Sequence, residues 1–223
     1  MDPDVSLAAR LASDLERAFP ALVDAHASRL YTIAHRLLGV PADAEEVAQD
    51  ALIRAHRALA GYDAARISAL RLRPWLATIT INLARNRRRR IADRLPATSL
   101  GPLIDAGLEL SRRDLSEPAD AGPAASAERA ETRQRLAGAL LQLRPATRAA
   151  VVLRHVDGLT VAETAATLGR PEGTVKAQVH RGLATLRLIL DQSDRQSTRS
   201  ARPPLPAAAA LRPTAHSTKE LPA

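Results

Sequence analysis

The stretch from Leu159 to Leu190, LTVAETAATLGRPEGTVKAQVHRGLATLRLIL, constrains the fold of this chain more than any other, because its spacing reads as a short helix, a tight turn and a longer basic helix. Thr160 with Glu163 three residues later fits a capping box, in which hydroxyl and carboxylate satisfy backbone donors left unpaired by the first helical turn. Val161, Ala165 and Leu168 supply the apolar side of the first helix, and Gly169 stands where a chain leaving a helix needs positive φ. After the turn Gly169-Arg170-Pro171, the residues Val175, Val179, Leu183, Leu186 and Leu190 form one apolar stripe. Thr174, Lys176, Gln178 and Arg181 are left for the other side, in the turns that a recognition helix sends into the major groove. The segment reads as a helix-turn-helix aimed at DNA. A plain helical hairpin with a solvated basic face is the alternative it leaves open by itself.

Composition sets the class around this motif. Among 223 residues, 46% are apolar but only 2% aromatic, so cores must be built from Ala, Leu, Val and Ile. Small side chains suit closely packed helices better than sheets, and the expected fold is all-α. The net charge is +8 and almost entirely arginine, the only lysines being Lys176 and Lys219. Such a surface attracts a polyanion by counterion release. The absence of cysteine excludes disulfides and thiolate metal sites within this chain. No apolar run reaches the length of a membrane span, and the N-terminus lacks the order of a signal peptide, so a cytoplasmic protein without membrane insertion is expected.

Along its length the chain divides into two helical blocks, a linker and a tail. The first block is expected over 14–95, with an amphipathic helix from Phe19 to Leu37, a second from Asp43 to Leu59, a polar loop from Gly61 to Arg73, and a third helix opening at Pro74. Residues 96–126 carry several prolines and glycines without periodicity and read as a flexible linker. The second block, 127–191, contains the helix-turn-helix. Residues 192–223 are rich in Ser, Arg, Pro and Ala and are expected to be disordered.

The third helix, PWLATITINLARNRRRR, sets Trp75, Leu76, Ile79 and Leu83 on a buried edge, and Thr78, Asn82, Arg85, Asn86 and Arg89 on an open side. Amides pair with base edges and guanidinium groups neutralise phosphate, so this surface suits nucleic acid; the plainer reading is an arginine-rich helix end facing its own dipole. The second helix carries the opposite charge. Asp43, Glu46, Gln49 and Asp50 form an acidic stripe that DNA would repel, which reads either as a solvated face or as a docking surface for a basic protein.

Together these segments resemble the extracytoplasmic-function sigma factors, the small two-domain promoter-recognition subunits of bacterial RNA polymerase. The resemblance covers about Phe19 to Arg90 and Arg133 to Leu190. DAEEVAQDALIRAHRAL, from Asp43, is similar to the segment that binds the polymerase clamp helices; RPWLATITINLARNRRRR, from Arg73, is similar to the minus-10 recognition helix; and Leu143 to Arg187 resembles the minus-35 domain. The resemblance implies that Asp43, Glu46, Gln49 and Asp50 meet core polymerase, that Asn82 and Asn86 lie near the minus-10 strand, and that the loop from Tyr62 to Arg73 captures a flipped base. It places Arg154, Lys176, Gln178, His180 and Arg181 toward the minus-35 duplex. Where the family commonly has aromatics in its clamp helix, this chain has Leu52 and His56.

The function implied is that of a specificity factor, with no catalytic constellation, cofactor or small-molecule substrate of its own. Its partners would be bacterial core polymerase and promoter DNA, with an anti-sigma factor as a third candidate. A dimeric helix-turn-helix repressor or activator is the alternative.

Overall fold

The structure is a computed structural model that describes residues 3–94 and 123–200. Asp14 alone separates the first two helices, α1 (Pro3–Ser13) and α2 (Leu15–Leu38). Its carboxylate accepts a 3.0 Å hydrogen bond from the Arg17 N–H, satisfying one of the donors that α2 would otherwise leave open. The helical block therefore starts at Pro3, ahead of the Asp14 boundary expected from sequence. Leu7, Ala8 and Leu11 are the reason: they are buried, so α1 closes the core against α2 and a short helix over Ala64–Ser68.

α3 (Pro41–Ala60) begins on Pro41, whose missing N–H costs nothing in a first turn, and buries Ala44, Val47, Ala48, Ala51, Ala55 and Leu59. The small residues on this face allow close packing on α2. The expected polar loop is partly helical, as α4 (Ala64–Ser68), because Asp63 caps it through a 2.7 Å bond from the Arg66 N–H and Ile67 anchors it in the core. α5 (Leu72–Arg94) starts just ahead of Pro74. It buries Leu72, Leu76, Ala77, Thr80, Ile81, Leu83 and Ala84 between α2 and α3. Thr80, fully buried, returns its hydroxyl to the Leu76 carbonyl at 2.9 Å, so its own polar group is not stranded in that core.

The second block comprises α6 (Pro123–Gln142), α7 (Pro145–Val151), a π-helical turn (Val152–Val156), α8 (Val161–Leu168) and α9 (Glu172–Ser200). Residues 95–122, most of the expected linker, and 201–223, most of the expected tail, lie outside the described residues. The remainder of each is helical, in the first turn of α6 and the last turns of α9.

Thr160 and Glu163 form the expected capping box: the Thr160 N–H donates to Glu163 at 2.8 Å and the Glu163 N–H donates to the Thr160 hydroxyl at 3.2 Å. Gly169 ends α8 at φ 62°, the left-handed conformation that lets α9 turn away. Gly182 serves a different need. A Cβ there would lie 2.6 Å from Val151 Cγ2 and 2.9 Å from Thr147 Cγ2, so α9 crosses α7 at a distance only glycine permits.

The two blocks touch. α8 packs on α5, and α6 and the π-helical turn pack on α2. Arg148 ties this seam together from a buried position. Its guanidinium donates to the Leu37 carbonyl at the end of α2 (2.7 Å), to Leu143 (3.1 Å) and to Leu141 beside it. Leu37 and Leu141 are carbonyls in the last turns of α2 and α6, which have no partner within their own helix and carry partial negative charge, and Leu143 lies just past the end of α6. Burial pushes the Arg148 guanidinium down to about 10, still charged at neutral pH.

Candidate nucleic-acid and polymerase interfaces

On α5 the buried Ile81, Leu83 and Ala84 force their neighbours outward, and Asn82, Arg85, Asn86 and Arg89 are all exposed. The helix therefore presents amide and guanidinium groups on one open side. Thr78 belongs to this row by spacing but is half-buried, with its hydroxyl donated to the Pro74 carbonyl at 2.8 Å. Tyr62, at the start of the α3–α5 connection, is half-buried beneath the Arg66 guanidinium, 3.7 Å from its ring centroid, and 6.4 Å from the Trp75 ring. An aromatic face, a guanidinium and an indole thus meet at the N-terminal end of α5, the kind of surface on which an unstacked base can rest. Arg73 adjoins it, and its Nη2 donates to the Asp157 backbone carbonyl at 2.7 Å.

The acidic stripe of α3 divides in two. Asp43 accepts from Arg87 Nε at 2.9 Å and Nη2 at 2.6 Å, and Glu46 accepts from Arg87 Nη1 at 2.6 Å. The bonds to Asp43 raise Arg87 above its ordinary value. Arg87 is thus the member of the four-arginine run that faces inward, bracing α5 to α3, a role the run alone did not reveal. Gln49 and Asp50 stay exposed. Next to them Tyr31, Ala48 and Leu52 line a shallow groove between α2 and α3, with Ile53 49% exposed nearby. His56 turns toward α2, edge-on to Phe19 at 4.7 Å and 3.2 Å from Glu16.

On α9, Lys176, His180 and Arg181 face outward and Thr174 is half-buried. Gln178 is placed differently. It is 7% exposed, on the α7 side of the helix, and its Oε1 has no hydrogen-bond partner. Arg154 is half-buried and donates to the Leu159 carbonyl at 3.0 Å, supporting the loop into α8. The cap is electrostatically set as well: the Thr160 N–H bond holds the Glu163 carboxyl below its ordinary value, with Arg71 contributing at 2.7 Å.

Between the blocks, Arg85 and Arg88 from α5 meet Arg144 and Arg170 around a cleft floored by Leu37, Ile81, Ala84 and Leu168. Burial, then the Arg85 charge, lowers Arg88. A second polar cluster lies deeper. Asp157, with a fully buried side chain, meets Arg29 through two contacts, Oδ1 to Nε at 2.5 Å and Oδ2 to Nη2 at 2.6 Å. His26 lies nearby with both ring nitrogens buried and without a hydrogen bond, 3.5 Å from Asp4. No sequence spacing announces the contacts of Arg29, Asp157 or Arg148 across the seam, because each reaches a partner in the other block more than a hundred positions away. Among the described residues no group of His, Asp or Glu side chains is placed to hold a metal, and no helix is long and apolar enough to cross a membrane.

Comparison with known proteins agrees with this division. The Sigma-70 region 2 family matches residues 22–94, and the Sigma-70, region 4 family matches residues 133–186. The chain is 35% identical over 185 residues to the ECF RNA polymerase sigma factor SigE of Mycolicibacterium smegmatis, covering 81% of this chain and 64% of SigE. It thus spans less than two thirds of that relative. With the ECF RNA polymerase sigma factor SigW of Bacillus subtilis it shares 32% identity over 175 residues, 76% of this chain and 87% of SigW. Among solved structures, CnrH in complex with the cytosolic domain of CnrY aligns with a TM-score of 0.58 at 29% identity, over 86% of this chain and 99% of CnrH. The sigma factor RpoE from Bartonella quintana, in complex with the anti-sigma factor NepR, shares the fold with a TM-score of 0.56 at 23% identity, over 78% of this chain and 96% of RpoE. The region 2 match to the first block, the region 4 match to the second and the identity to SigW over most of its length establish that this chain belongs to the extracytoplasmic-function family of RNA polymerase sigma factors.

Proposed function

We propose that this chain binds bacterial core RNA polymerase through α3 and directs it to promoters by reading a minus-10 element with α5 and a minus-35 element with α9. The observation that carries this reading is the separation of charge by helix. Gln49 and Asp50 present an acidic face beside the α2–α3 groove, whereas Asn82, Arg85, Asn86 and Arg89 on α5 and Lys176, His180 and Arg181 on α9 present amide and basic groups. Each class faces the partner it attracts.

Polymerase supplies the chemistry, and this chain supplies position. Arginines on α5 hold the DNA backbone, Asn82 and Asn86 meet exposed base edges, and Tyr62 with Trp75 gives a base drawn from the duplex a surface to stack on. On α9, Lys176 and Arg181 project from the first turns of a recognition helix, where one good bidentate base contact discriminates by about 1 to 3 kcal/mol. Asp43 and Glu46 take part by fixing α3 against α5 through Arg87, so that docking and minus-10 surfaces keep one geometry. Two modest DNA contacts in one chain reinforce each other by effective concentration. A dimeric repressor would have no use for a region 2 block. Docking of a third protein, an anti-sigma factor, fits the same surfaces.

Reconstitution with bacterial core polymerase and run-off transcription on genomic fragments tests the proposal. Asn82→Ala and Arg181→Ala should each lower initiation while leaving polymerase association intact, and Asp50→Arg should impair association itself. Normal association of Asp50→Arg refutes the α3 assignment.

A further inference from the structure

The arginine-lined cleft is used in full by neither the DNA surfaces nor the docking face. Its volume is about 700 Å³, within the range of small-molecule sites, which are mostly apolar with a few convergent charged groups. The walls come from α2, α5, the start of α7 and the turn between α8 and α9. Leu37, Ile81, Ala84 and Leu168 form the floor, and Ala146 and Ala149 extend it toward α7. Arg85 and Arg88 reach it from α5, Arg144 from just ahead of α7, and Arg170 from the turn.

No carboxylate lines this cleft. Other arginines of the chain are spoken for: Arg29, Arg71 and Arg87 pair with carboxylates, and Arg148 with carbonyls. Among the described residues, none of the four guanidinium groups around the cleft makes an ion pair or a hydrogen bond. Their mutual repulsion is felt. After burial, the Arg85 charge helps to lower Arg88, and the Arg88 charge helps burial to hold Arg148 down at about 10. A cleft of one sign over low-dielectric walls focuses its field and concentrates counter-ions.

We propose that this cleft binds a nucleoside polyphosphate, its phosphates held by Arg85, Arg88, Arg144 and Arg170 and its base laid on the apolar floor. Guanidinium groups take phosphate oxygens in pairs, with a geometry that an ammonium group lacks. A single carboxylate, as on a fatty acid, would satisfy one arginine and leave the others facing one another, whereas a chain of phosphates offers each a charge. Inorganic polyphosphate would leave the floor uncovered. The floor side chains carry no polar group, so they favour a flat apolar face without choosing among bases. Arg144 and Arg170 belong to neither DNA surface described above, so the site stands or falls separately from those assignments.

Isothermal titration calorimetry of the full-length chain with adenosine triphosphate, at near-physiological ionic strength, tests the proposal. The nucleotide should bind saturably at one site, guanosine triphosphate should bind comparably, and inorganic triphosphate and adenosine should each bind more weakly. Arg144→Gln and Arg170→Gln should each weaken binding about tenfold, the usual worth of one hydrogen bond to a charged group. Both should keep the parent's helical circular dichroism, because neither side chain has a partner in the fold to lose. Arg10→Gln on α1 removes the same charge outside the cleft and should leave the affinity unchanged. Absence of saturable binding overturns the proposal. So does an equal loss in Arg10→Gln, which would report net charge alone, and so does inorganic triphosphate binding as tightly as the nucleotide. A single-stranded oligonucleotide that displaces the nucleotide, and is itself weakened by both cleft variants, would make the cleft a nucleic-acid channel and overturn the assignment. Should Arg144→Gln lose helicity, Arg170→Gln decides alone.

Discussion

Replacing Arg148 with Met keeps much of the side-chain volume and removes the donors that join the second block to α2. Three carbonyls lose their partner: Leu37, Leu141 and Leu143. Hydrogen bonds from a charged donor are worth about 1.5 to 3 kcal/mol each, so roughly 6 kcal/mol of favourable interaction is at stake. Against it stands the cost of holding a cation in the seam. A guanidinium lowered from 12.5 to about 10 by burial corresponds to about 3 kcal/mol at about 1.4 kcal/mol per unit, and methionine relieves that cost. The balance is a net loss of about 3 kcal/mol, which in a protein of this size lowers the melting temperature by about 6 to 12 °C. Thermal melting at pH 7, followed by circular dichroism and checked by urea titration, measures it. A variant that melts within about 2 °C of the parent, or above it, would refute the argument that helix-end carbonyls are what this arginine satisfies.

Gly182→Val should destabilise the second block by about 1 to 3 kcal/mol or more, because its side chain meets Val151 and Thr147 closer than atoms can pack; a melting curve no lower than the parent's counts against the tight α7–α9 crossing. Thr160→Ala should cost about 1 kcal/mol by opening the capping box, read as a lower midpoint in urea, and Thr160→Ser should restore it. Burial keeps His26 below its ordinary value of 6.5 despite the nearby Asp4, so the unfolded chain binds a proton there more readily than the folded one. Stability should therefore fall as pH drops below about 6.5, and His26→Leu should flatten that slope in denaturation series at successive pH values; an equal slope in the variant removes His26 as its source. Asp43→Asn should weaken the Arg87 brace and lower melting while Asp50→Asn leaves melting unchanged, which separates the structural half of the stripe from its exposed half.

The local chemistry of this protein was readable in one dimension. Thr160, Glu163 and Gly169 dictate the helix-turn-helix because a cap and a left-handed residue act through backbone atoms a few positions away, and the periodicity of α2, α3, α5 and α9 follows from the 3.6-residue turn alone. The α5 row of Asn82, Arg85, Asn86 and Arg89 was legible for the same reason: helical spacing decides which side chains share a face. The omissions have a common cause. α1 escaped notice because Leu7, Ala8 and Leu11 are too few to form a pattern by themselves and matter only once α4 covers them. Helical spacing puts Gln178 on the open side of α9, whereas the packing of α9 on α7 at Gly182 buries it, and Arg87 stands in a run whose other three arginines are exposed while Asp43 and Glu46 draw it back. Arg29, Asp157 and Arg148 carry no mark in the sequence at all. Which charges end up buried is decided by which helix ends meet, and that meeting depends on the packing of whole helices, a long-range outcome that no local spacing encodes.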